Sequence, residues 1–258
     1  MRHPVLTAIM STGAFVALWW LAVLLLKLPA YLLPAPDAVF DRVVFLARHA
    51  DLLQHMAVST SELMLGFALG SVLGAMASSW FAHVPLAERL MSPLIVLVQT
   101  APKIALAPLL VLWLGFGLSS KVVLVAVVVF LPVMASTLSG IRAIPASVWD
   151  LCQVLKLSNP ARFRQVELPY ALPAILAGMR IGATQAITAI VIGELLGAKL
   201  GLGVLLAMGQ ENNDAAIVIA VVTVLSLLGY ALYLLVNVCE QRFLRWHESQ
   251  RYLQIGSA

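Results

Sequence analysis

Two ionisable side chains sit within long apolar runs that leave no water to solvate them. Lys103 interrupts the run from Pro93 to Leu114, and Glu194 the run from Leu172 to Leu196. A charge at bilayer depth is costly without a partner and marks a solute path, a proton relay or an internal ion pair. Pro102 and Pro108 flank Lys103 and are expected to break this span; each removes a backbone donor, and the carbonyls so freed are tolerated only against protein or water. Pro102, Lys103, Pro108 and Glu194 are therefore the residues expected to line a translocation path. A Lys103–Glu194 pair that only orders two helices uses the same residues and stays open as an alternative. Arg180 and Glu62 are placed nearer span ends, where snorkelling or capping is expected.

Other chemistries find no support. His3, His49, His55, His83 and His247 are scattered along the chain, and no metal-ligand spacing such as H-E-x-x-H occurs. No serine or aspartate has a recognisable base beside it, so no catalytic residue is expected. The phosphate-cradling pattern G-x-x-x-x-G-K-[ST] is absent. The chain is thus not expected to bind a cofactor or hydrolyse ATP itself, and any nucleotide chemistry falls to a partner. Met64, Met76 and Trp113 read as lipid-facing or packing residues. Cys152 and Cys239 lie far apart, which argues against a disulfide or a metal cluster.

A second constellation is polar. Ser147 to Pro169, SVWDLCQVLKLSNPARFRQVELP, is a basic, helix-forming insert between apolar runs, far longer than a simple turn requires. Ser147-x-x-Asp150 fits a capping box, after which Val148, Leu151, Val154 and Leu155 fall on one helical face. Asn159-Pro160 is a second start signal, followed by Arg162, Phe163 and Val166. The pattern predicts helix, sharp turn, helix, with an apolar stripe rimmed by basic residues. Such a hairpin either lies on anionic lipid headgroups or is gripped by a protein outside the membrane.

The elements that position these residues are membrane spans. The chain has 258 residues, of which 62% are hydrophobic and 11% charged, against about a quarter charged in soluble domains. The predicted fold is an all-α integral membrane protein, since barrel strands would alternate in short segments. Six spans are expected, at about 5–26, 58–81, 93–114, 122–138, 172–196 and 215–238. The first is too long for a signal-peptide core and is read as retained. Between the first two lies a polar segment, 28–56, with an amphipathic stretch VFDRVVFLARHADLLQHM. The whole chain reads as one transmembrane domain with a cytoplasmic loop at about 139–171.

With the N-terminus inside, inner segments hold Arg2, Arg89, Arg142, Lys156, Arg162, Arg164, Arg242, Arg245 and Arg251, and outer segments Lys27, Arg42, Arg48, Lys121 and Lys199. That asymmetry places both termini and the polar insert in the cytoplasm. It also accounts for the net charge of +4 without a nucleic-acid partner. Gly66, Gly70 and Gly74 recur every four residues, as do Gly178 and Gly182; such spacing lets backbones approach closely. Six spans are few for a transporter built from two repeats, so a homodimer is expected.

The insert resembles the loop of ABC importer membrane subunits whose pattern is Glu-Ala-Ala, three residues, Gly, and a later Leu-Pro. Here Asp150-Leu151-Cys152 holds the first position, Lys156 the glycine position, and Leu168-Pro169 the last. LPYALPAILAGMRIGATQAITAIVIGELLGAKLGLGVLL resembles the fifth span and its sequel in the nitrate/sulfonate/taurine-type permeases. Gln99-Thr100-Ala101-Pro102-Lys103-Ile104-Ala105-Leu106-Ala107-Pro108-Leu109, leading to LWLGFG, resembles that group's third-span motif. Similarity runs from Leu33 to Trp246.

The resemblance implies the permease of a bacterial inner-membrane importer, with a cytoplasmic ATPase and a periplasmic binding protein as partners. It also implies that Asp150, Leu151, Cys152, Val154, Leu155, Lys156 and Phe163 dock the ATPase, with Arg162 and Arg164 at the rim. The menu of solutes it implies is nitrate, sulfonates, taurine and pyrimidine-type precursors. Family members often carry Arg near Glu62. Because a side chain at a left-handed turn position is costly, the turn expected at Lys156 is displaced toward Ser158-Asn159. The competing expectation is an ion-coupled transporter or channel with Lys103 and Glu194 as coupling groups. A membrane enzyme is disfavoured by the lack of a polar catalytic cluster.

Overall fold

The computed structural model describes residues 4–244, and every regular element among them is helical. In chain order these are α1 Pro4–Leu26, α2 Pro36–His49, α3 Leu52–His83, α4 Pro85–Thr100, α5 Lys103–Leu114, α6 Leu118–Arg142, α7 Ala146–Val154, α8 Asn159–Arg162, α9 Leu168–Leu195, α10 Leu202–Glu211 and α11 Ala215–Phe243. Four helical stretches are long and apolar enough to cross a membrane: Leu52–His83, Leu118–Arg142, Asn159–Leu195 and Ala215–Phe243. They cover the expected second, fourth, fifth and sixth spans, the fifth ending at Leu195 rather than 196. Shorter apolar helical stretches occur at Met10–Leu26 and Ile104–Leu114. Arg2, His3, Arg245, His247 and Arg251 lie outside the described residues.

The expected third span is not one helix. The chain bends at Ala101 and Pro102, both extended, between α4 and α5. Pro102 explains the break, since the residue before proline is pushed out of the helical region. Pro108, by contrast, sits inside α5 without ending it. The amphipathic stretch after the first apolar run forms α2, which buries Val39 and Leu46 against the starts of α3 and α11.

At the centre stands α6, with Val125, Val129 and Val133 fully buried. Small residues explain how two neighbours come so close to it. A Cβ added at Gly66 would lie 2.5 Å from Val125 Cβ, and one at Gly74 would lie 2.7 Å from the Phe130 carbonyl. From α9, a Cβ at Gly178 would meet the Pro132 carbonyl at 2.8 Å, and one at Gly182 would meet Val129 at 3.0 Å. The glycine stripes of α3 and α9 thus clasp α6 backbone to backbone. In lipid, where burial of apolar surface supplies little drive, such close van der Waals contact is what holds helices together. Leu63, Phe67, Ala183, Ala186 and Ile190 complete this core. Large apolar side chains on α1, α4 and α5, including Leu25, Leu90, Leu112 and Trp113, remain exposed.

Candidate functional site

One end of the bundle carries the polar insert. Pro145, not Ser147, caps α7, and no side chain closes the expected capping box. The end of α7 is closed instead by its backbone: Lys156 N–H donates to Gln153 O and Leu157 N–H to Cys152 O, both at 3.0 Å. This is a Schellman turn, and it puts Lys156, with φ 49°, at the left-handed position where glycine is usual. The turn is therefore not displaced toward Ser158-Asn159; Lys156 takes the left-handed conformation itself. Ser158 is extended and precedes the next helix as its N-cap residue.

That next helix does not end at a sharp junction with the fifth span. It passes through a π-turn, Phe163–Glu167, and continues into α9. Leu168 N–H donates to Phe163 O, five residues back. The π register arises just where Pro169 supplies no N–H to the carbonyl four residues before it.

Of the residues expected to dock a partner, Asp150, Leu151, Val154, Leu155, Lys156 and Phe163 are exposed. Val154 is 77% exposed and Leu155 60%, unusual for apolar side chains on an otherwise polar elbow. Cys152 differs: it is buried at 5% exposure, so its thiol supports the elbow rather than lying on its surface. Val148 and Trp149 likewise turn inward, against Ile141, Ile144 and Ala171. Arg164 is exposed, whereas Arg162 is half-buried and bonded to Glu167.

At the opposite end lies a buried ionic cluster. Glu62 pairs with Lys121 across α3 and α6. Glu194 accepts from Ser59 Oγ and from Gly203 N–H, each at 2.6 Å. Ser59 Oγ in turn accepts from Leu202 N–H at 2.8 Å. His55 Nδ1 lies 2.7 Å from the Gly201 carbonyl oxygen and 3.1 Å from its amide nitrogen; it donates to the first when protonated there and accepts from the second when bare. The turn after α9 is thereby fastened to α3. Gly201, at φ 137°, is indispensable to it: a Cβ there would lie 2.5 Å from Glu194 Oε1. Beside the cluster opens a cavity of about 260 Å³, lined among others by Phe116, Lys121, Leu196 and Lys199.

Glu62, expected to snorkel or cap near a span end, and Lys121, expected in an outer connection, are instead buried and paired with each other. Arg180 is also no isolated snorkelling residue, because it pairs with Glu240 of α11. Glu194 is buried as expected, with both oxygens taken by Ser59 and Gly203. Lys103 opens α5, but its side chain lies outside the described residues. Sequence spacing held a signal for the missed residues. His55, Ser59 and Glu62 continue at helical intervals into Gly66, Gly70 and Gly74, so the polar residues share the face that the glycines mark as a contact.

Fold and site together define a multi-pass helical membrane protein whose packed core carries a structured polar elbow at one end. Residues 66–245 match the family model described as binding-protein-dependent transport system inner membrane component. The chain belongs to this family. It is 31% identical over 231 residues to the riboflavin transport system permease protein RibX of Chloroflexus aurantiacus, covering 90% of this chain and 86% of that one. It is 29% identical to the taurine transport system permease protein TauC of Escherichia coli, covering 96% and 92%. Among solved structures, an inward-facing MetNI methionine ABC transporter chain matches with a TM-score of 0.65 at 18% identity, over 74% of this chain and 95% of that one. That likeness concerns the fold alone.

Proposed function

We propose that the chain is the permease of an ATP-driven importer that works as a homodimer in the bacterial inner membrane, with two cytoplasmic ATPase subunits and a periplasmic binding protein. The observation that carries this reading is the elbow: Leu151, Val154 and Leu155 exposed beside Asp150 on a helix whose other face is anchored in the bundle. Exposed apolar side chains ringed by charge mark a protein contact. Asp150, Leu151, Val154, Leu155, Lys156 and Phe163 form that contact, and Cys152 supports it from within. Six spans, with α4 and α5 together as the third, put both termini and the elbow in the cytoplasm. ATP is bound and hydrolysed by the partner, not by this chain.

Translocation runs along α4 and α5, whose apolar faces stay uncovered in a single copy and meet the second copy in the dimer. The break at Ala101-Pro102, with Lys103 just beyond it and Pro108 in α5, lines this path, and Glu194 fixes its outer end. Relatives named for riboflavin, taurine, aliphatic sulfonates and formylaminopyrimidine support a small organic solute, delivered by a binding protein that sets the choice.

The test is Leu155→Asp. A charge at the centre of an apolar contact is expected to reduce co-purification of the ATPase subunits by roughly tenfold or more, while the amount of permease in the membrane stays at the parental level. Equal recovery of ATPase would overturn the docking assignment.

A further inference from the structure

We propose that Glu167 is a positioning residue: it ties the elbow to the inner end of α3, so that movement imposed on α7 passes to α3 as well as to α9. The inference rests on the permease reading above. Glu167 lies in the π-turn and is 1% exposed. A carboxylate is costly to bury, and an apolar side chain of similar size would fill the same space at no electrostatic cost. What the charge adds is a set of directed bonds.

Those bonds connect separate elements. Glu167 Oε1 accepts from Arg162 Nε of α8 and from His83 Nε2, the last residue of α3, each at 3.0 Å. The Arg162 guanidinium in turn lies over the Trp149 ring of α7, 5.4 Å from its centre. Contacts therefore run from α7 through α8 and the π-turn to α3. His83 Nδ1 lies 2.7 Å from the Ser79 carbonyl, so each ring nitrogen faces an oxygen acceptor. The tie also has room to yield. Glu167 Oε2 has no hydrogen-bond partner among the described residues, and a cavity of about 90 Å³, lined among others by Glu167, Ser79, Thr137 and Phe163, adjoins it.

His83 is the residue to change, because it is partly exposed and its loss leaves the Arg162–Glu167 bond in place. Spin labels go on Leu53→Cys of α3 and Leu112→Cys of α5, both exposed, in a Cys152→Ser, Cys239→Ser background within the assembled transporter. The interlabel distance is compared without nucleotide and after trapping with ATP and vanadate. Trapping is expected to shift the distance in the parent. His83→Ala is expected to lose at least half of that shift while binding and trapping nucleotide as the parent does, and His83→Gln, which can still donate to Glu167, is expected to restore it. An undiminished shift in both His83→Ala and Glu167→Gln would overturn the proposal. So would loss of ATPase binding in His83→Ala, which would make the tie merely structural. A parent that neither retains ATPase subunits nor shifts would overturn the permease reading and this inference with it.

Discussion

Lys156 occupies the left-handed position of the Schellman turn that closes α7, a position glycine usually fills. A lysine in place of the usual glycine suggested that the turn moves to residues that tolerate a left-handed backbone. The structure keeps the turn and imposes φ 49° on the lysine, because the Schellman bonds from Lys156 and Leu157 satisfy two carbonyls at the end of α7. The backbone bonds outweigh the local preference. Replacing the lysine by glycine removes a strain of about 1–2 kcal/mol, partly offset by the greater backbone freedom of glycine in the unfolded chain. Lys156→Gly is therefore expected to raise the midpoint of thermal unfolding in detergent slightly, or leave it unchanged; a clear fall would show that the side chain makes a stabilising contact. The turn itself was legible, through the spacing from Asp150 to Leu168-Pro169. Its conformation was not, since it depends on hydrogen bonds that no residue type announces.

Among the elements, the glycine stripes were visible in sequence but their partner was not. Both converge on α6, which meets them mainly with Val125, Val129 and Val133. Gly70 tests this packing most directly, because a Cβ there would lie within 3.0 Å of Ala126 Cα and of Val129 Cβ. Gly70→Val forces α3 away from α6 and is expected to destabilise the bundle by about 1–3 kcal/mol or more, the usual range for overpacking. Faster loss of monodisperse protein on heating in detergent would record it, and parental stability would mean that the two backbones do not approach as described. The same face explains why Glu62 was misplaced. Hydropathy along one segment puts Glu62 near the start of the expected span 58–81, where capping or snorkelling would serve it, whereas α3 begins at Leu52 and Glu62 is paired with Lys121 inside the bundle. Charge pairing across helices is invisible to a measure taken along one segment. The break in the third span was legible because proline acts locally. Pro108 was over-read, since a proline within a helix need not end it.

For the whole molecule, the two polar ends differ in kind. The ionic cluster at Glu62, Lys121 and Glu194 is buried, while the elbow presents exposed apolar and charged side chains. The excess of arginine and lysine on the elbow side supports its cytoplasmic placement. Accessibility labelling checks this in a Cys152→Ser, Cys239→Ser background. Ser147→Cys, exposed on α7, is expected to react with a membrane-impermeant maleimide in inside-out vesicles and not in intact spheroplasts. Lys199→Cys is expected to show the opposite pattern. Labelling of Ser147→Cys from the outside would invert the topology and remove the elbow from reach of any cytoplasmic ATPase.

Glu194 and Glu167 also have a joint consequence. The helix from Asn159 to Leu195 runs without interruption through its π-turn, and 27 residues at 1.5 Å rise separate the two carboxyls by about 40 Å along its axis. Each is fastened to the same neighbour, one through Ser59 near the start of α3 and the other through His83 at its end. Two struts pinned at both ends, with α6 clasped between them, make a braced truss. Such a frame resists shear: α3 and α9 cannot slide past each other without breaking a bond to a buried carboxyl. It is expected to move as a unit, leaving any bending to parts outside it, foremost the break at Ala101-Pro102.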